Sequence, residues 1–371
     1  MPSSPPTATS PLPAGAWRPD ALVATLHAAG LRPMQARDAA KVWMNGYHRD
    51  HLDRAAALAL VPPVQARFLA PLLLEDRPLL AVEEVIAADQ TRRLLWQTHD
   101  GLVIESVIIP ADNGQRVTLC VSSQVGCGRR CAFCETGRLG LVRNLGVDEI
   151  AAQFRLASQL WNRVRGQLPA ISNVVFMGMG EPLDNLENVL NAIALLTHDW
   201  TYGLSARKVS VSTVGVAQKF AAFFAGTQAN LALSLNAPDD ARRSELMPVN
   251  QRVSMADLKA ALVAHLPRGR SVLVEYILFA GLNDAPADAE LLRAWLDGVP
   301  ARLNLIPANP GPDPRLQSPT HEAVWAFQKQ LLDAGVRVMV RYPHGRDVGG
   351  ACGQLAGAHR QKRGHNEVSH G

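Results

Sequence analysis

Hydrophobic side chains recur at three- and four-residue intervals through the first part of the chain. The repeating positions are Leu22, Leu26 and Ala29, followed by Ala36, Ala39, Ala40 and Trp43. Because an α-helix completes a turn in about 3.6 residues, this spacing places apolar side chains along one helix face. The pattern therefore predicts a mostly helical accessory domain over residues 17–100, with Trp43 as a core residue.

Short β-rich runs follow, and residues typical of turns separate them. The runs cover residues 94–97, 103–109 and 117–121, with Asp-Gly and Asp-Asn-Gly turns between them. Apolar and β-branched runs joined by such turns are typical of antiparallel strands. We expect a small β-meander that connects the accessory domain to the rest of the chain.

From residue 147 onward, helical stretches alternate with apolar β-rich runs. The helical stretches are 147–164, 183–198, 255–265, 285–296 and 321–334, and the β-rich runs are 174–177, 208–213, 231–235, 272–279, 302–306 and 336–341. Nearly continuous apolar runs separated by helices indicate buried parallel strands. The alternation predicts an α/β fold with a full or partial (β/α) barrel. Ligands of such folds bind at the carboxyl ends of the strands.

Composition narrows the class of protein without giving its function. Hydrophobic residues make up 47% of the 371 residues and charged residues 19%, so the chain can form a large core. No apolar run approaches the ~18 residues of a membrane span. Residues 1–16 are predicted to be a disordered tail and 359–371 a basic flexible tail. The odd count of five cysteines argues against a secreted disulfide scaffold, so we expect a cytoplasmic protein.

Three of the five cysteines are closely spaced and directly follow the run at 117–121. Cys127, Cys131 and Cys134 form a C-x-x-x-C-x-x-C pattern, and thiolates suit zinc or iron–sulfur clusters. Structural zinc normally has four protein ligands, and common [4Fe–4S] sites have four cysteines, so three would leave one iron open. The spacing, with Phe133 before the third cysteine, resembles that of the radical S-adenosylmethionine (SAM) superfamily. Zinc with a distant fourth ligand, or incidental core cysteines, remain alternatives.

Small polar residues follow several of the predicted strands. The run at 174–177 leads into Gly178-Met-Gly180-Glu181-Pro, which resembles the superfamily's Gly-Gly-Glu-type motif for the methionine amino group. Glycines let the backbone approach a ligand closely. The other candidates for cofactor binding are Ser212, Ser234, Leu235, Asn236 and Asn309. Each one alone is more typical of a cap or turn, but together they place hydrogen-bonding groups around one barrel mouth.

Five motifs in order give the chain a close family resemblance over roughly residues 17–358. They are Cys-Val-Ser-Ser-Gln-Val-Gly-Cys (120–127), the cysteine triplet, Gly-Met-Gly-Glu-Pro-Leu (178–183), Asn-Leu-Ile-Pro (304–307) and Ala-Cys-Gly-Gln-Leu (351–355). The chain resembles the RlmN/Cfr-type radical SAM RNA methyltransferases. The stretches at 104–110, 275–278 and 281–284 are also similar to the family.

The resemblance implies methylation of an adenine at ring carbon C2 or C8. These carbons are poor nucleophiles, so the ordinary transfer of an electrophilic methyl group from SAM does not work. Two SAM molecules are implied per product, with a [4Fe–4S] cluster on the three cysteines and SAM on its open iron. Cys352 would carry the methyl group, and Cys120 would resolve the protein–RNA adduct through a transient disulfide. The family's general base matches Glu105. Arg341, His344 and Arg346 flank Cys352, and cations would favour its thiolate.

The sequence departs from the family pattern at two places near the expected site. Ser234-Leu235-Asn236 stands where the family usually has Ser-Leu-His, and asparagine can still hydrogen-bond a ribose. Asp347-Val-Gly-Gly350 stands where Asp-Ile-Asp-Ala is usual. The two glycines predict a more mobile loop before Cys352.

Partners implied by the resemblance are RNA, in particular 23S rRNA and for some members a tRNA, and an electron donor such as flavodoxin or ferredoxin. A monomer is expected. Basic residues near the cysteines and in the tail are candidates for phosphate contacts: Arg129, Arg130, Arg138, Arg143, Arg360, Lys362 and Arg363. Ordinary solvated charge is the alternative for each. A target base in folded RNA would have to be extruded to reach a barrel mouth.

Overall fold

The accessory region at the start of the chain is a bundle of short helices. In the computed structural model, which describes residues 12–74, 78–309, 311 and 313–355, these helices are α1 (Pro19–Ala28), α2 (Pro33–Met44), α3 (Arg54–Ala59) and α4 (Pro63–Leu69). Proline occupies the first helical position of α1, α2 and α4, where its missing N–H costs no hydrogen bond. Trp43 is fully buried among their apolar side chains, which confirms its core role.

The predicted disordered tail is wrong for residues 12–16. Strand β1 (Leu12–Pro13) pairs in parallel with β2 (Leu73–Leu74), and a 3₁₀ turn follows at Ala14–Ala16. Tertiary pairing with a segment far along the chain orders this stretch, which has no strong local preference. Residues 1–11 of that tail and the whole of the predicted basic tail at 359–371 lie outside the described residues.

The helical prediction for residues 17–100 is wrong after residue 72, where the chain turns to strands. These are β3 (Leu79–Ile86), β4 (Arg92–Thr98), β5 (Val103–Pro110) and β6 (Val117–Cys120). Each pairs antiparallel with the next, so the predicted meander is confirmed and gains one strand, β3. Leu79, Leu94 and Trp96 pack in the core of the larger domain, and this burial decides their conformation.

The remaining elements form a hairpin and then the alternating α/β region. They are β7 (Gln124–Cys127), α5 (Glu135–Leu139), β8 (Gly140–Asn144), α6 (Val147–Val164), β9 (Asn173–Phe176), α7 (Leu186–Thr197), β10 (Val209–Thr213), α8 (Phe220–Gly226), β11 (Asn230–Ser234), α9 (Asp240–Leu246), α10 (Met255–His265), β12 (Val272–Leu278), α11 (Pro286–Leu296), β13 (Ala301–Pro307), α12 (His321–Asp333) and β14 (Val338–Val340). All six predicted β-rich runs are strands. The sequence patterns missed the short elements β7, β8, α5, α8 and α9.

One ten-stranded sheet carries the domain. Its order is β14-β13-β12-β11-β10-β9-β6-β5-β4-β3, and the pairs from β6 to β14 are parallel. In the described part of the chain β14 and β3 end the sheet without pairing to each other, so the predicted (β/α) barrel is partial. The carboxyl ends of β6 and β9 to β14 lie along one edge, where the candidate site is built.

The accessory helices rest on the larger domain through aromatic side chains. His48 is fully buried, and its Nδ1 lies 3.1 Å from the Tyr202 hydroxyl, which belongs to the loop after α7. Burial, together with nearby Arg155, lowers the pKa of His48 to about 3, so this imidazole is neutral. Among the described residues, no helix is long and apolar enough to span a membrane.

Candidate active site

The three clustered cysteines line one cavity at the carboxyl edge of the sheet. Cys127 ends β7, and Cys131 and Cys134 occupy the loop that leads into α5; all three border a cavity of about 130 Å³. Cys127 and Cys131 are each 8% exposed. The Arg129 backbone N–H donates to the Cys127 sulfur over 3.5 Å. Burial raises the pKa of Cys127 to about 12, so a bound cation is needed to hold this sulfur as a thiolate.

Three thiols at one cavity offer the soft ligands that an iron–sulfur cluster needs. Within residues 12–74, 78–309, 311 and 313–355, no three His, Cys, Asp or Glu side chains are close enough to hold one ion. A zinc ion needs its ligand sulfurs within about 2.3 Å of one centre. A [4Fe–4S] cluster binds each cysteine to a different iron and therefore accepts a wider spacing. The three-thiol donor set fits an iron–sulfur cluster.

Glu181 projects a buried carboxylate toward the same cavity. Its side chain is 2% exposed and accepts hydrogen bonds from the backbone N–H groups of Leu183 (3.0 Å) and Val214 (2.9 Å). Burial raises the pKa of Glu181 to about 7 despite these hydrogen bonds. A cationic partner would stabilise the ionised form of this buried carboxyl group. Gly180 precedes it with φ of +103°, and a Cβ there would lie 2.6 Å from Cβ of Gln124, so only glycine fits.

Ser212 and Ser234 form part of the cavity wall together with Glu275, a residue to which the sequence motifs gave no role. Their hydroxyl oxygens lie 3.3 Å apart, and the Ser212 hydroxyl donates to Glu275 over 3.2 Å. Glu275 is buried on β12; burial raises its pKa, while nearby Arg341 opposes the rise. The signal in the sequence was one acidic residue inside the apolar run Val-Leu-Val-Glu-Tyr-Ile-Leu. Buried charges of this kind cluster at functional sites.

Two predicted cofactor-binding residues are engaged mainly in holding the strands together. Leu235 is a core side chain, its N–H donates to the Glu275 carbonyl, and its own carbonyl accepts from Arg243. Asn236 has φ of +59° and 1% exposure, and its Oδ1 accepts from the Ile277 N–H over 3.0 Å. Asn236 also borders the cavity, and its Nδ2 donates to the Met247 sulfur over 3.5 Å.

Cys352 stands between two cavities. It borders the one with the clustered cysteines and a second, smaller one of about 40 Å³ that Cys120 also lines. Cys352 retains exposed surface, whereas Cys120 on β6 is buried, and both thiols are free. Arg341 borders the smaller cavity as well. The fold therefore brings Cys120 and Cys352 together from distant parts of the sequence.

The electrostatic effect on these two thiols differs from the sequence-based expectation. Cations were expected to favour the Cys352 thiolate, and Arg341 does act in that direction. The residue keeps exposed surface, but its thiol is withdrawn from water, and this larger effect raises the pKa of Cys352 above its ordinary value. Burial, with a smaller contribution from the neighbouring Cys352, raises the pKa of Cys120 to about 12. Both groups are protonated thiols at neutral pH.

The loop that carries Cys352 is anchored on both sides, although two glycines predicted a mobile loop. Asn309 donates from Nδ2 to the Cys352 carbonyl (3.2 Å) and accepts at Oδ1 from Arg346 Nε (2.8 Å). Asp89, in the turn between β3 and β4, accepts from the Gly345 N–H over 3.0 Å. The antiparallel strands thus support the loop that presents the thiol.

Comparisons with known proteins agree with this geometry. The profile of the Radical SAM superfamily matches residues 121–292. The chain is 42% identical to the dual-specificity RNA methyltransferase RlmN of Marinomonas sp. (strain MWYL1) over 287 residues, which are 76% of this chain and 77% of that protein. It is also 38% identical to the RlmN of Phenylobacterium zucineum (strain HLK1), with 95% of this chain and 92% of the relative covered.

The chain belongs to the RlmN/Cfr-type family of radical SAM RNA methyltransferases. A probable RNA methyltransferase of Sorangium cellulosum (strain So ce56) is 54% identical over 295 residues, 79% of this chain and 73% of that protein. A crystal structure of a radical SAM methyltransferase from Sphaerobacter thermophilus superposes with a TM-score of 0.83 at 35% identity, covering 93% of this chain and 99% of that one. Membership of the superfamily implies a [4Fe–4S] cluster and SAM.

Glu105, the family's candidate base, lies apart from both cavities. It is 1% exposed on β5, and its Oε1 lies 3.8 Å from Arg93 Nη1 on β4. Neither cavity has Glu105 among its bordering residues. Its neighbour on the same strand face, Ile109, does border the smaller cavity with Cys120. The Glu105 carboxylate is therefore buried on the sheet face that also carries Ile109. An acidic residue on a strand is more commonly exposed to solvent.

Two of the basic residues beside the cysteines are committed to ion pairs. Arg129 pairs with Asp184, and Arg143 pairs with Asp100 and Glu149. Arg130 and Arg138 are exposed. Arg360, Lys362 and Arg363 lie outside the described residues. Two members of the predicted phosphate-binding set thus form ion pairs with acidic residues, and two others have exposed side chains.

Proposed function

We propose that this protein methylates ring carbon C2 of an adenine in 23S rRNA, and of a tRNA as well, through a methyl group carried on Cys352. Each product would use two SAM molecules. The observation that carries the proposal is the position of Cys352 between the cavity of the clustered cysteines and the cavity of Cys120. A methyl group on the Cys352 sulfur would be accessible from the cavity of the clustered cysteines, and the sulfur itself would be accessible to Cys120 from the smaller cavity.

Cys127, Cys131 and Cys134 would hold the [4Fe–4S] cluster, and the cavity beside them would receive SAM. When bound, the cluster supplies the electron that cleaves SAM to methionine and a 5′-deoxyadenosyl radical. Glu181 would take the ammonium group of the methionine moiety, since a buried carboxylate is stabilised by an opposite charge. Gly180 allows close backbone approach, and Ser212 and Ser234 offer hydroxyls for the ribose, with Asn236 shaping the pocket. Leu235 and Asn309 do not border it and would support it indirectly, from the core and from the loop of Cys352.

Cys352 would act first as a nucleophile and then as a carrier. Its sulfur would attack the methyl carbon of the first SAM, lose its proton and become a methyl thioether, with S-adenosylhomocysteine as the leaving group. The raised pKa opposes this step, and the guanidinium of Arg341 offsets part of the cost. The hydrogen atom that the 5′-deoxyadenosyl radical would take from the S-methyl group leaves a carbon radical, which would add to the adenine ring and join Cys352 to the RNA. The radical adduct would then give up one electron, which an oxidised cluster can accept, before the proton is removed.

Cys120 and Glu105 would complete the reaction. Glu105 borders neither cavity, and the family resemblance is what supports it as the group that would accept a proton from the methylated ring carbon of the adduct, with Arg93 holding the carboxylate in place. The Cys120 sulfur would attack the Cys352 sulfur, forming a disulfide and breaking the carbon–sulfur bond to the RNA. The released carbon takes up a proton and becomes the methyl product. A cytosolic disulfide of this kind is transient and catalytic.

RNA recognition would require the target base to leave its stack, since the cavities lie at a barrel mouth. Single-stranded loops are the targets that allow this most readily. We further propose a monomeric enzyme in the cytoplasm, which receives electrons from flavodoxin or ferredoxin.

Mass spectrometry of nucleosides tests the function directly. Total 23S rRNA and tRNA from a strain that lacks this gene are digested and compared with those of the parent strain. We expect 2-methyladenosine to disappear and to return when the gene is restored, but not when Cys352→Ala is supplied. Loss of 8-methyladenosine would move the reaction to C8, and loss of neither would point to a different RNA or protein substrate.

A further inference from the structure

Cys120 must lose a proton before its sulfur can attack Cys352. Burial raises the pKa of the Cys120 thiol to about 12, so the group is protonated at neutral pH. A cysteine attacks another sulfur as the thiolate. In the proposed reaction the carbon released from Cys352 also takes up one proton. The resolution step therefore needs a group that moves a proton within the cavity of about 40 Å³ that both cysteines border.

His344 is the side chain at this cavity that can accept such a proton. Among the described residues that border the cavity, the titratable ones are Cys120, Cys352, Arg341 and His344. Arginine stays protonated in proteins and has no acceptor atom. Imidazole is the group that most often transfers protons in enzymes. Glu105, to which the earlier proton transfer is assigned, does not border this space.

Asp89 sets the tautomer of the His344 ring. Its Oδ2 lies 3.2 Å from His344 Nδ1 and also accepts from the Gly345 backbone N–H over 3.0 Å. Partial burial would raise the pKa of Asp89, but hydrogen bonds from Thr91, Gly345 and His344 together hold it below its ordinary value, so the carboxylate only accepts. Asp112 Oδ1, 3.9 Å from the same Nδ1, acts in the same direction. Nδ1 therefore carries the hydrogen, and Nε2 keeps a lone pair.

We propose that His344, oriented by Asp89, carries the proton of the Cys120 thiol to the carbon released from Cys352. The inference rests on the proposed function, in which that carbon becomes the methyl product. His344 Nε2 takes the proton as the S–S bond forms. The electron pair of the broken carbon–sulfur bond stays on the carbon, which receives the proton from the imidazolium. The two sulfurs are oxidised to the disulfide and the carbon is reduced to the methyl group, so no further reagent is consumed.

Release of a chromophore from a mixed disulfide measures the attack of Cys120 without RNA or SAM. A dithiobis(nitrobenzoate) reagent, added to the cluster-loaded enzyme under nitrogen, places an aromatic thiol on the exposed Cys352. Attack by Cys120 then forms the disulfide and releases a second thionitrobenzoate, which is followed by its absorbance. Cys120→Ala lacks this second release and defines the signal. The matched control for His344→Gln is His265→Gln, which makes the same change at an exposed position in the last turn of α10.

We expect His344→Gln to slow the second release at least about tenfold at neutral pH, with His265→Gln unchanged. The rate in His344→Gln should rise steeply with pH over the range in which the unsubstituted enzyme reaches a plateau, because hydroxide then replaces the imidazole. Asp89→Asn should give a smaller decrease. In the complete reaction with RNA and SAM, His344→Gln should accumulate the protein–RNA adduct.

A second release with unchanged rate in His344→Gln would overturn the proposal. A lower rate with the same pH profile would also overturn it, since His344 would then only support the loop. If the second release slows as expected but the unsubstituted enzyme forms no methylated adenosine, the proposed function fails and the proton transfer from Cys120 stands separately.

Discussion

The Cys120 side chain on β6 and the Cys352 side chain on the C-terminal loop border one cavity of about 40 Å³. Their thiols are close enough for the charge of one to affect the pKa of the other. Both are free thiols in this structure. Val175 and Met177 of the neighbouring segment border the same space, so the two cysteines share a largely apolar compartment.

The resolving role of Cys120 predicts a trapped intermediate. Cys120→Ala should accumulate RNA covalently attached to the protein, because the carbon–sulfur bond to the RNA is then not broken. Labelled RNA that migrates with the protein on a denaturing gel measures this adduct. The double variant Cys120→Ala/Cys352→Ala is the matched control and should show none. An equal amount of adduct in the unsubstituted enzyme and in Cys120→Ala would contradict the role.

A general base at Glu105 predicts a loss of rate without a loss of binding. Glu105→Gln keeps the size of this buried side chain and removes its ability to take a proton, so the methylation rate should fall about 100-fold. SAM affinity, measured by calorimetry, should remain unchanged because Glu105 does not border the SAM cavity. Arg93→Gln is a useful companion, since it should lower the rate by a smaller factor through loss of the ion pair. A rate for Glu105→Gln near that of the unsubstituted enzyme would exclude this base.

Burial of Glu181 predicts a pH dependence of stability in the protein without cluster or SAM. Its pKa rises from 4.5 to about 7 on folding, so between these values the folded state binds more protons than the unfolded state. The stabilising contribution is complete below pH 4.5 and is lost as pH rises to about 7, an effect of order 3 kcal/mol. Urea unfolding at pH 5 and pH 8 should show this decrease.

The variant Glu181→Gln should show a smaller decrease in the free energy of unfolding over the same pH interval. The control is Glu187→Gln, which removes an exposed carboxyl from the first turn of α7 and should leave the decrease unchanged. Equal pH dependence in Glu181→Gln and in the unsubstituted protein would show that other buried groups, such as Glu275, cause the effect.

The hydrogen bond from Asn309 to Cys352 predicts a role in holding the methyl-carrying loop. Asn309→Ala removes the contacts to the Cys352 carbonyl and to Arg346, so the loop should be cut faster by a protease and the rate should fall about tenfold. Asn309→Asp keeps an acceptor for Arg346 and should retain more of the rate. If Asn309→Ala instead lost much of its SAM affinity while the loop was cut by the protease at an unchanged rate, Asn309 would be a direct SAM ligand.

The strands and helices of the α/β region could be predicted from the sequence because each is encoded by a local pattern of hydrophobic residues. Continuous apolar runs and amphipathic stretches predicted the strands at 174–177 and 272–279 and the helix Val147–Val164 with errors of one residue or less. The failures have tertiary causes. β3 was assigned to the helical domain because its order comes from pairing with β4, and of its apolar side chains Leu79 alone packs in the core while Leu80 and Val82 are exposed. The short pairing of β1 with β2 depends on a contact between distant segments.

The sequence by itself determined the chemistry available to this protein: three cysteines at a spacing suited to a cluster, a glycine-flanked Glu181, and further cysteines at 120 and 352. These motifs can be recognised from residue spacing because the residues of each motif lie close together in the sequence. Only the tertiary structure decided which groups meet. It joined Cys120 with Cys352, placed Glu275 beside Ser212, and gave Arg341 a position near both thiols. Parallel strands bring their carboxyl ends to one edge whatever their separation in sequence, and burial at that edge then sets the protonation of each group.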